Sequence, residues 1–472
     1  MSCKSAGIHL IFFLMFPAIS IFSQTSFLEE AAILEGASFH ENIEVRSAMT
    51  DTINAPFYSL LARQKEIHSQ ILSPVAVEFE LRKSEDSFYL LYKNELDYKY
   101  PVWGRGNYII KRDLRTGEFL QIKIFLQNDE MSYIRLFPLG EDRSSLELSL
   151  YGMTLYSGIV LPVSIEDLSV SSFARIMFLS KGTIRWDQIF TDAFYPEWRS
   201  VAALQSALRN DMGSLFETED GGMDSDGNFA FIKDGSLSGE DGGVNCSGFA
   251  KWVADGILLS RGAETLLDFE SLKVPTETES RKNNPWSSAR VDRDPYFGLD
   301  WCRNIAVALR LSEPGGSVDS PLDMDVKTVP FFDYKDNVGY RLDKVKTLLY
   351  LQAVKEPGSF YLGTINSLYG EDPALWQYHH VALFFPWFDE NGDFHLEVLE
   401  TGTVSSVENL KYRYPQSYLH LSKAKASDYI SPWPSGSERI THMDSVGERL
   451  PEAEAEDAVE IDTETLVETF AR

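Results

Sequence analysis

The chain has 472 residues and carries a formal net charge of −28 at pH 7. Its residues are 44% apolar and 13% aromatic, which is ordinary for globular domains and excludes disorder throughout the chain. A chain of this length can bury roughly two or three cores. The negative charge and the lack of a basic stretch argue against nucleic acid as a partner, because such a surface repels phosphates.

The first residues have the three-part layout of a secretory signal peptide. Lys4 is followed by an apolar run over residues 8–22 and by small residues within and after it. We therefore assign residues 1–23 to a signal peptide and expect the mature protein to be secreted or periplasmic. No later segment of the sequence reads as a stable membrane span.

Two regions of different texture follow the predicted leader. Residues 24–73 are predicted to be partly helical, since apolar residues recur there at three- and four-residue intervals. Residues 74–185 contain short alternating or β-branched runs such as VAVEFELRK, SFYLLYK and EFLQIKIFL, divided by turn-rich pieces. This spacing predicts a separate all-β domain, built as a sandwich or a small barrel, without a cluster of catalytic residue types.

The cysteines point to chemistry further along the chain. Cleavage of the leader removes Cys3 and leaves Cys246 and Cys302, which either pair as a disulfide or keep at least one thiol for chemistry. The segment GGVNCSGFAKWVADGILLS places Cys246 at or just before the start of an amphipathic helix. There the unpaired N–H groups and the helix dipole favour a thiolate and can stabilise an oxyanion. The alternative is a small, buried apolar side chain.

A thiolate in this role needs a partner that takes and returns a proton, and histidine does this near neutral pH. The histidines downstream of the cysteine are His379, His380, His395, His420 and His442. Two helices, LDWCRNIAVALRL and VKTLLYLQAVK, are predicted between the cysteine and these histidines. After these two helices the sequence predicts three strands, at SFYLGTIN, HHVALFFPW and DFHLEVLET.

Two strings resemble motifs of the NlpC/P60 family of papain-like cysteine hydrolases. NCSGFAKWV is similar to the nucleophile motif, in which Asp-Cys-Ser-Gly opens an apolar helix, and HHVALFF is similar to the second motif, a His that opens a strand. The resemblance implies Cys246 as nucleophile and His380 as its base. Asn245 stands where the family usually has Asp, and we expect Asn245 and Ser247 beside the oxyanion site.

The resemblance covers roughly residues 245–401 and implies an α+β papain-like domain, in which a helix carrying Cys packs on an antiparallel sheet carrying His. We place this domain at residues 190–430 and expect an insertion at about 261–340 to form a lid or a substrate wall. The last residues, 435–472, are strongly acidic and are predicted to be a mobile tail.

The third group of the site is argued from strand register. The segment DENGD at residues 389–393 favours a two-residue hairpin turn, which sets Leu383 opposite Glu400. Glu400 then lies within one or two strand steps of His380. The resemblance implies that a polar residue at this position orients the base.

Side-chain alternation opposes this assignment of Glu400. In the expected register it faces away from His380, and a bulge in either strand would be needed to bring the two side chains together. Without a bulge, Thr401, Thr403 or a water would take the role. A solvent-facing Glu400 is the remaining alternative.

The expected function is the hydrolysis of an amide bond, by resemblance in a peptide or a peptidoglycan stem or crosslink. Acyl transfer or ester cleavage by the same Cys246–His380 dyad is an alternative. A non-catalytic cell-envelope binding protein, with a degenerate papain-like domain and a Cys246–Cys302 disulfide, is another. No His, Cys and Asp residues have metal-ligand spacing, so we expect neither a metal nor an organic cofactor. The sequence leaves the oligomeric state open.

Overall fold

The computed structural model describes residues 39–190, 194–239, 242–277, 294–370 and 374–427. The predicted signal peptide at residues 1–23 and the acidic tail at residues 435–472 lie outside the described residues. The described chain mixes helices with large antiparallel sheets, which agrees with the predicted α+β class. Within these residues, no helix is both long enough and apolar enough to cross a membrane.

Helices and strands alternate in blocks along the chain. The helices are α1 (Ile43–Ala48), α2 (Thr50–Asn54), α3 (Phe57–Leu60), α4 (Ile165–Ser169), α5 (Phe173–Ser180), α6 (Pro196–Asp211), α7 (Cys246–Ser260), α8 (Phe269–Leu272), α9 (Phe297–Leu311), α10 (Val345–Lys355) and α11 (Val407–Arg413). The first strands are β1 (Glu66–His68), β2 (Val77–Lys83), β3 (Ser87–Asn94), β4 (Tyr108–Asp113), β5 (Phe119–Phe125), β6 (Tyr133–Pro138), β7 (Ser144–Leu150) and β8 (Met153–Leu161). The later strands are β9 (Gly222–Met223), β10 (Phe229–Ala230), β11 (Tyr340–Arg341), β12 (Ser359–Tyr369), β13 (Leu375–Phe388), β14 (Phe394–Glu400), β15 (Thr403–Ser405) and β16 (Tyr418–Lys425).

The first eight strands form one antiparallel sheet in chain order. Short turns connect most of these strands, so each strand pairs with its neighbour in sequence. On β4, Tyr108 and Ile110 are buried while Ile109 and Lys111 are less so, which is the period of two expected for a strand. The predicted sandwich of two sheets is not formed, because the eight strands make one sheet; among the described residues no pairing joins β1 to β8, and the small-barrel alternative stays a prediction.

The second large sheet has the strand order β11-β16-β12-β13-β14-β15 and is antiparallel throughout. Helices α7 and α9 belong to the core on one of its faces, and α10 belongs to the core on the other. Strand β13 supplies both cores because its side chains alternate: Leu383 and Phe385 enter the first core, whereas Phe384 and Phe388 enter the second. The strand that carries His380 is therefore anchored from both sides.

Part of the expected insertion at residues 261–340 is core and not a lid. Helix α9 lies within it, and Trp301, Cys302 and Ile305 are fully buried there. The indole N–H of Trp301 donates to the backbone carbonyl of Ser247, at 2.9 Å, and so supports the first turn of α7. Asp294 and Pro295, just before the helix, and Phe297 and Gly298, at its start, line the cleft beside Cys246.

The two large sheets share one hydrophobic core. Tyr350 of α10 packs edge-on against Phe388 and Phe394 of the second sheet, with ring centroids 5.2 and 5.1 Å away, and its ring lies 5.7 Å from that of Tyr151. The predicted boundary between a β domain ending at 185 and a catalytic domain beginning at 190 stays a prediction.

Candidate active site

Cys246 is the first residue of α7, and Asn245 is its N-cap. The side-chain oxygen of Asn245 accepts a hydrogen bond from the N–H of Gly248 at 2.8 Å, and the N–H of Asn245 donates to the carbonyl of Gly221 at 2.9 Å. A helix start leaves four N–H groups without intrahelical acceptors. Two of them are satisfied in this way, and the remaining two belong to Cys246 and Ser247, at the sulfur.

The cap also explains why Asn can stand where the similar family has Asp. Both side chains present an oxygen to the N–H three residues on, and both rank among the best N-caps. Asn245 is thus part of the scaffold of the helix start, because its oxygen is engaged with Gly248. Its amide group donates in turn to the carbonyl of Glu219 at 3.4 Å.

Gly248, two residues after Cys246, lets the backbone at residue 221 approach the start of α7 closely. A Cβ on Gly248 would lie 2.1 Å from the carbonyl oxygen of Gly221, closer than any real contact allows. On the entry side, a Cβ on Gly243 would lie 2.5 Å from the carbonyl oxygen of Phe216. The glycines around Cys246 are therefore required by close backbone approach.

The structure brings Cys246, His380 and Glu400 together. The imidazole of His380 lies close enough to the Cys246 thiol to act on its pKa, and the backbone N–H of Val381 and the hydroxyl of Ser247 act on that pKa in the same direction. Nε2 of His380 lies 2.5 Å from Oε2 of Glu400. Because Nε2 is engaged with the carboxylate, Nδ1 is the ring nitrogen left for the sulfur.

The register that brings Glu400 to His380 differs by one residue from the predicted one. Leu383 pairs with Leu399, and continuing this register sets Glu400 opposite Ala382. Residues 380 and 382 share a face of β13, so Glu400 and His380 lie on the same side without a bulge between β13 and β14. The predicted register was wrong, and the difficulty with Glu400 arose from that error.

The hairpin loop accounts for the shift. The last strand pair is Phe388 with Phe394, and the N–H of Asp389 donates to the carbonyl of Asp393 at 3.0 Å, so three residues and not two form the turn. Gly392 has φ +76°, as the left-handed position of a three-residue hairpin requires. The carboxylate of Asp389 stabilises this longer loop by accepting from the N–H groups of Asn391 and Asp393, each at 2.9 Å.

The charges of the three groups support one another. Burial alone would raise the pKa of the Cys246 thiol, but the hydrogen bond and charge of His380 lower it below its ordinary value. Burial likewise opposes ionisation of His380, yet Cys246 and Glu400 raise its pKa to about 9. Against burial, the bonds from His380, Arg413 and Ser405 lower the pKa of Glu400 to about 2. Each charged form, the thiolate and the imidazolium, thus favours the other.

Cys302 has the opposite environment. It is fully buried, and burial raises its pKa to about 12 although Thr364 hydrogen-bonds to it. Both Cys246 and Cys302 are free thiols. The two cysteines are therefore distinct, one half-buried at a cleft and the other inert in the core.

Three residues that sequence reasoning missed surround the His380–Glu400 pair. Ser405 lines the cleft beside Glu400 and helps to lower its pKa, Arg413 donates from Nη2 to Oε1 of the same carboxylate, and the ring of Tyr414 lies 5.7 Å from that of His380. All three follow the region of family resemblance, which ends near residue 401. No motif or spacing in the sequence pointed to them.

A cleft with two lobes opens at this site. The first lobe, the thiol lobe, has a volume of about 290 Å³ and includes Cys246, Asn245, Ser247, His380 and the segment at residues 294–298. The second, the carboxylate lobe, has a volume of about 430 Å³ and includes Glu400, Thr401, Thr403, Ser405 and Arg413. Glu217 and His380 line both lobes, so a bound molecule in either would contact the imidazole.

The other candidates lie away from the reacting atoms or are bonded elsewhere. His379 is exposed, His395 lies 3.1 Å from Asp389, and His420 is fully buried with its ring 3.3 Å from Asp325. His442 falls outside the described residues. In the part of the chain that the structure describes, no three His, Cys, Asp or Glu side chains are grouped to hold a metal ion. The prediction that the site needs no metal stays a prediction.

Comparisons with known proteins bear on the first sheet and not on this site. A family model described as a domain of unknown function (DUF8515) matches residues 35–188. This range holds the eight-stranded sheet and ends before α7 and β13 begin. No curated protein and no solved structure matches the chain.

Proposed function

We propose that this protein is an exported thiol hydrolase of papain-like, NlpC/P60-related type that cleaves an amide bond. The observation that carries the proposal is the grouping of Cys246, His380 and Glu400: the sulfur lies at the start of a helix and shares a cleft with His380, and His380 is hydrogen-bonded to Glu400. Nucleophile, base and orienting carboxylate in this order match the general pattern of activated-nucleophile sites.

The acylation step follows from the geometry. The Cys246 thiolate attacks the carbonyl carbon of the substrate, and the resulting oxyanion is stabilised by the two free N–H groups at the start of α7. The His380 imidazolium then donates its proton to the leaving nitrogen as the C–N bond breaks. Glu400 holds the imidazole in the required tautomer throughout.

The deacylation step uses the same groups in reverse. His380, now neutral, takes a proton from water as the water oxygen attacks the thioester carbon. The C–S bond breaks, the acid product leaves, and the proton on His380 restores the thiolate–imidazolium pair. If an acceptor alcohol or amine replaced water, the same dyad would perform acyl transfer.

Peptide or peptidoglycan amides are the substrates we propose, on the resemblance of the two motifs. Fold resemblance alone does not determine a substrate. A Cys246–Cys302 disulfide would support the alternative of a non-catalytic scaffold, and both sulfurs are free thiols. The activated thiol therefore favours an enzyme over a binding module.

The decisive experiment measures the reactivity of the thiol. Iodoacetamide should alkylate Cys246 faster than it alkylates free cysteine near neutral pH, since the thiolate is already present. Cys246→Ala should abolish the labelling. Cys302→Ala is the matched control and should leave the rate unchanged, because the Cys302 side chain is fully buried.

Product analysis then identifies the bond. Incubation with muropeptides, unrelated peptides and acyl esters, followed by mass spectrometry, should give cleavage of an amide by the wild-type protein and none by Cys246→Ala. Alkylation no faster than that of free cysteine would contradict the proposal. Rapid alkylation with turnover of esters alone would leave the dyad and correct the substrate class.

A further inference from the structure

We propose that Arg413 is a positioning residue, whose guanidinium fixes the Glu400 carboxylate so that His380 stays aligned with the thiolate. This inference rests on the thiol-hydrolase function proposed above and concerns the same site. Arg413 lies at the end of α11 and outside the stretch of motif resemblance.

The carboxylate of Glu400 is held at both oxygens. Oε2 lies 2.5 Å from Nε2 of His380, and Oε1 accepts from Nη2 of Arg413. The two oxygens belong to one rigid plane, so a bond on one restricts the rotation of the other. The Arg413 side chain is 42% exposed, but that of Glu400 is only 8% exposed. Because the carboxylate is nearly buried, water can replace little of the hydrogen bond that Arg413 donates to it.

Arg413 belongs to a short segment that encloses the pair from the cleft side. Within residues 405–414, Ser405 also lines the cleft beside Glu400, and the ring of Tyr414 packs beside His380 at an interplanar angle of 30°. The N-cap Ser406 starts α11 by accepting from the N–H of Asn409 at 3.1 Å. The capped helix α11 thus holds Arg413 at its end and Tyr414 directly after it, both beside the His380–Glu400 pair.

The charged groups around His380 allow a positioning role of Arg413 to be distinguished from a direct effect of its charge. Cys246 and Glu400 contact the imidazole directly, Tyr414 and His379 lie beside it, and the exposed Glu217 lines the same cleft. The positive charge of Arg413 repels an imidazolium. If Arg413 acted by charge alone, its removal would raise the pKa of His380 and make the thiolate easier to form.

A positioning role predicts the opposite change, a lower pKa of His380 when Arg413 is lost. When Arg413 is lost, the carboxylate can rotate away, its bond to Nε2 of His380 weakens, and the imidazolium loses stabilisation. The pKa of the thiol then rises toward its ordinary value. The acid limb of the thiol-reactivity profile should therefore move to higher pH.

The experiment is the pH dependence of iodoacetamide alkylation from about pH 4 to about pH 10. For Arg413→Gln we expect the acid limb to move up by about half to one pH unit and the rate near pH 6 to fall several-fold, up to about tenfold. Arg413→Lys keeps the charge but has no planar fork, so its limb should move up by a smaller amount.

Arg209→Gln is the matched control. Arg209 is 52% exposed and pairs at 3.4 Å with Glu397 on β14, the strand that carries Glu400, so the same charge is removed near the same strand. Its profile should superimpose on that of the wild type. If Arg413→Gln does not fold, Arg413→Lys carries the test, because a pure charge role predicts no shift for Lys.

The possible outcomes distinguish a failure of the Arg413 positioning role from a failure of the proposed hydrolase function. A rapid wild-type reaction with an unmoved or downward-moving limb in Arg413→Gln would overturn the positioning role and leave the hydrolase proposal standing. A wild-type thiol no more reactive than free cysteine would overturn the hydrolase proposal itself. An upward shift in Arg413→Gln, with a smaller one in Arg413→Lys, supports both.

Discussion

His380 and Glu400 are tied by proton linkage to the stability of the fold. The pKa of His380 is raised from 6.5 to about 9, so its stabilising contribution is complete below about pH 6.5 and is lost as pH rises through 9. The pKa of Glu400 is lowered from 4.5 to about 2, so its contribution is complete above about pH 4.5 and is lost as pH falls through 2. Both stabilising contributions are complete only between about pH 4.5 and about pH 6.5.

Replacing Glu400 by Gln should therefore cost most stability in that window. Between about pH 4.5 and pH 6.5 we expect the free energy of unfolding to fall by about 1 to 3 kcal/mol, the range for a hydrogen bond between charged groups. The difference should shrink above pH 9 and below pH 3. Urea denaturation of wild type and Glu400→Gln at several pH values measures it.

Glu118→Gln serves as the control for that series. It removes an exposed carboxylate between β4 and β5, far from the site in sequence and in a different sheet. Its effect should be small at every pH. An equal loss of stability at all pH values in Glu400→Gln would argue that the pair does not titrate as described.

At the scale of the element, the start of α7 combines a structural and a chemical role. Asn245 caps the helix, and that cap orders the turn whose N–H groups surround the sulfur. Local sequence sufficed to predict the helix start at Cys246, because glycines and an apolar periodicity act within a few residues, but the cap by Asn245 was not predicted. The helix was accordingly expected where it lies.

Substitutions at Asn245 should show whether the cap stabilises α7 through its hydrogen-bond acceptor or through the charge at this position. Asn245→Asp keeps an oxygen for the N–H of Gly248 and should hold stability within about 0.5 kcal/mol, whereas Asn245→Ala should lose about 1 kcal/mol. Because the cap orders the thiol, Ala should also slow alkylation of Cys246. Thermal melts and iodoacetamide kinetics on the same preparations measure both.

A second N-cap provides the comparison. Ser164 caps α4 in the same manner, accepting from the N–H of Asp167 at 3.1 Å. Ser164→Ala should lose similar stability without changing the rate of alkylation. Equal slowing in both variants would trace the effect on the thiol to general loosening and not to the cap of α7.

Strand register shows the limit of local reasoning at the same scale. Strands β13 and β14 were expected near their observed positions, yet the register between them was one residue off. Asn391 and Gly392 fit either a two-residue turn or the end of a three-residue one. The carboxylate of Asp389, bonded to two loop N–H groups, decides for the longer turn.

At the scale of the whole molecule, the two sheets meet around the same hairpin. Arg105, between β3 and β4, donates through Nη1 to the carbonyl of Asn391 at 2.7 Å and pairs through Nη2 with Asp393 at 2.6 Å. Asn128 donates to the same carboxylate at 2.7 Å. The first sheet thus supports the loop that sets the register of Glu400.

Arg105→Ala should accordingly destabilise more than a surface substitution. The side chain of Arg105 is 7% exposed, and its loss leaves loop carbonyls and a carboxylate short of a donor, at a cost of about 2 to 3 kcal/mol. Chemical denaturation measures the change. Arg143→Ala, whose side chain is 57% exposed beside Asp142, is the control and should change stability by less than about 0.5 kcal/mol.

The sequence by itself determined the features that depend on near neighbours. The α+β class, the helix that opens at Cys246, the helix at Val345–Lys355 and the strand that carries His380 follow from periods of 3.6 and 2. Those preferences are free energies of a few adjacent residues. They can be evaluated without knowing what lies across the fold.

Only the tertiary structure decided which distant groups meet. The single eight-stranded sheet, the face on which Glu400 lies and the approach of Arg413 and Tyr414 to His380 depend on register and on packing between segments far apart in the chain. A shift of one residue turns every side chain of a strand to the other face. The energy that selects the register resides in loop hydrogen bonds and cross-sheet contacts, which no local pattern contains.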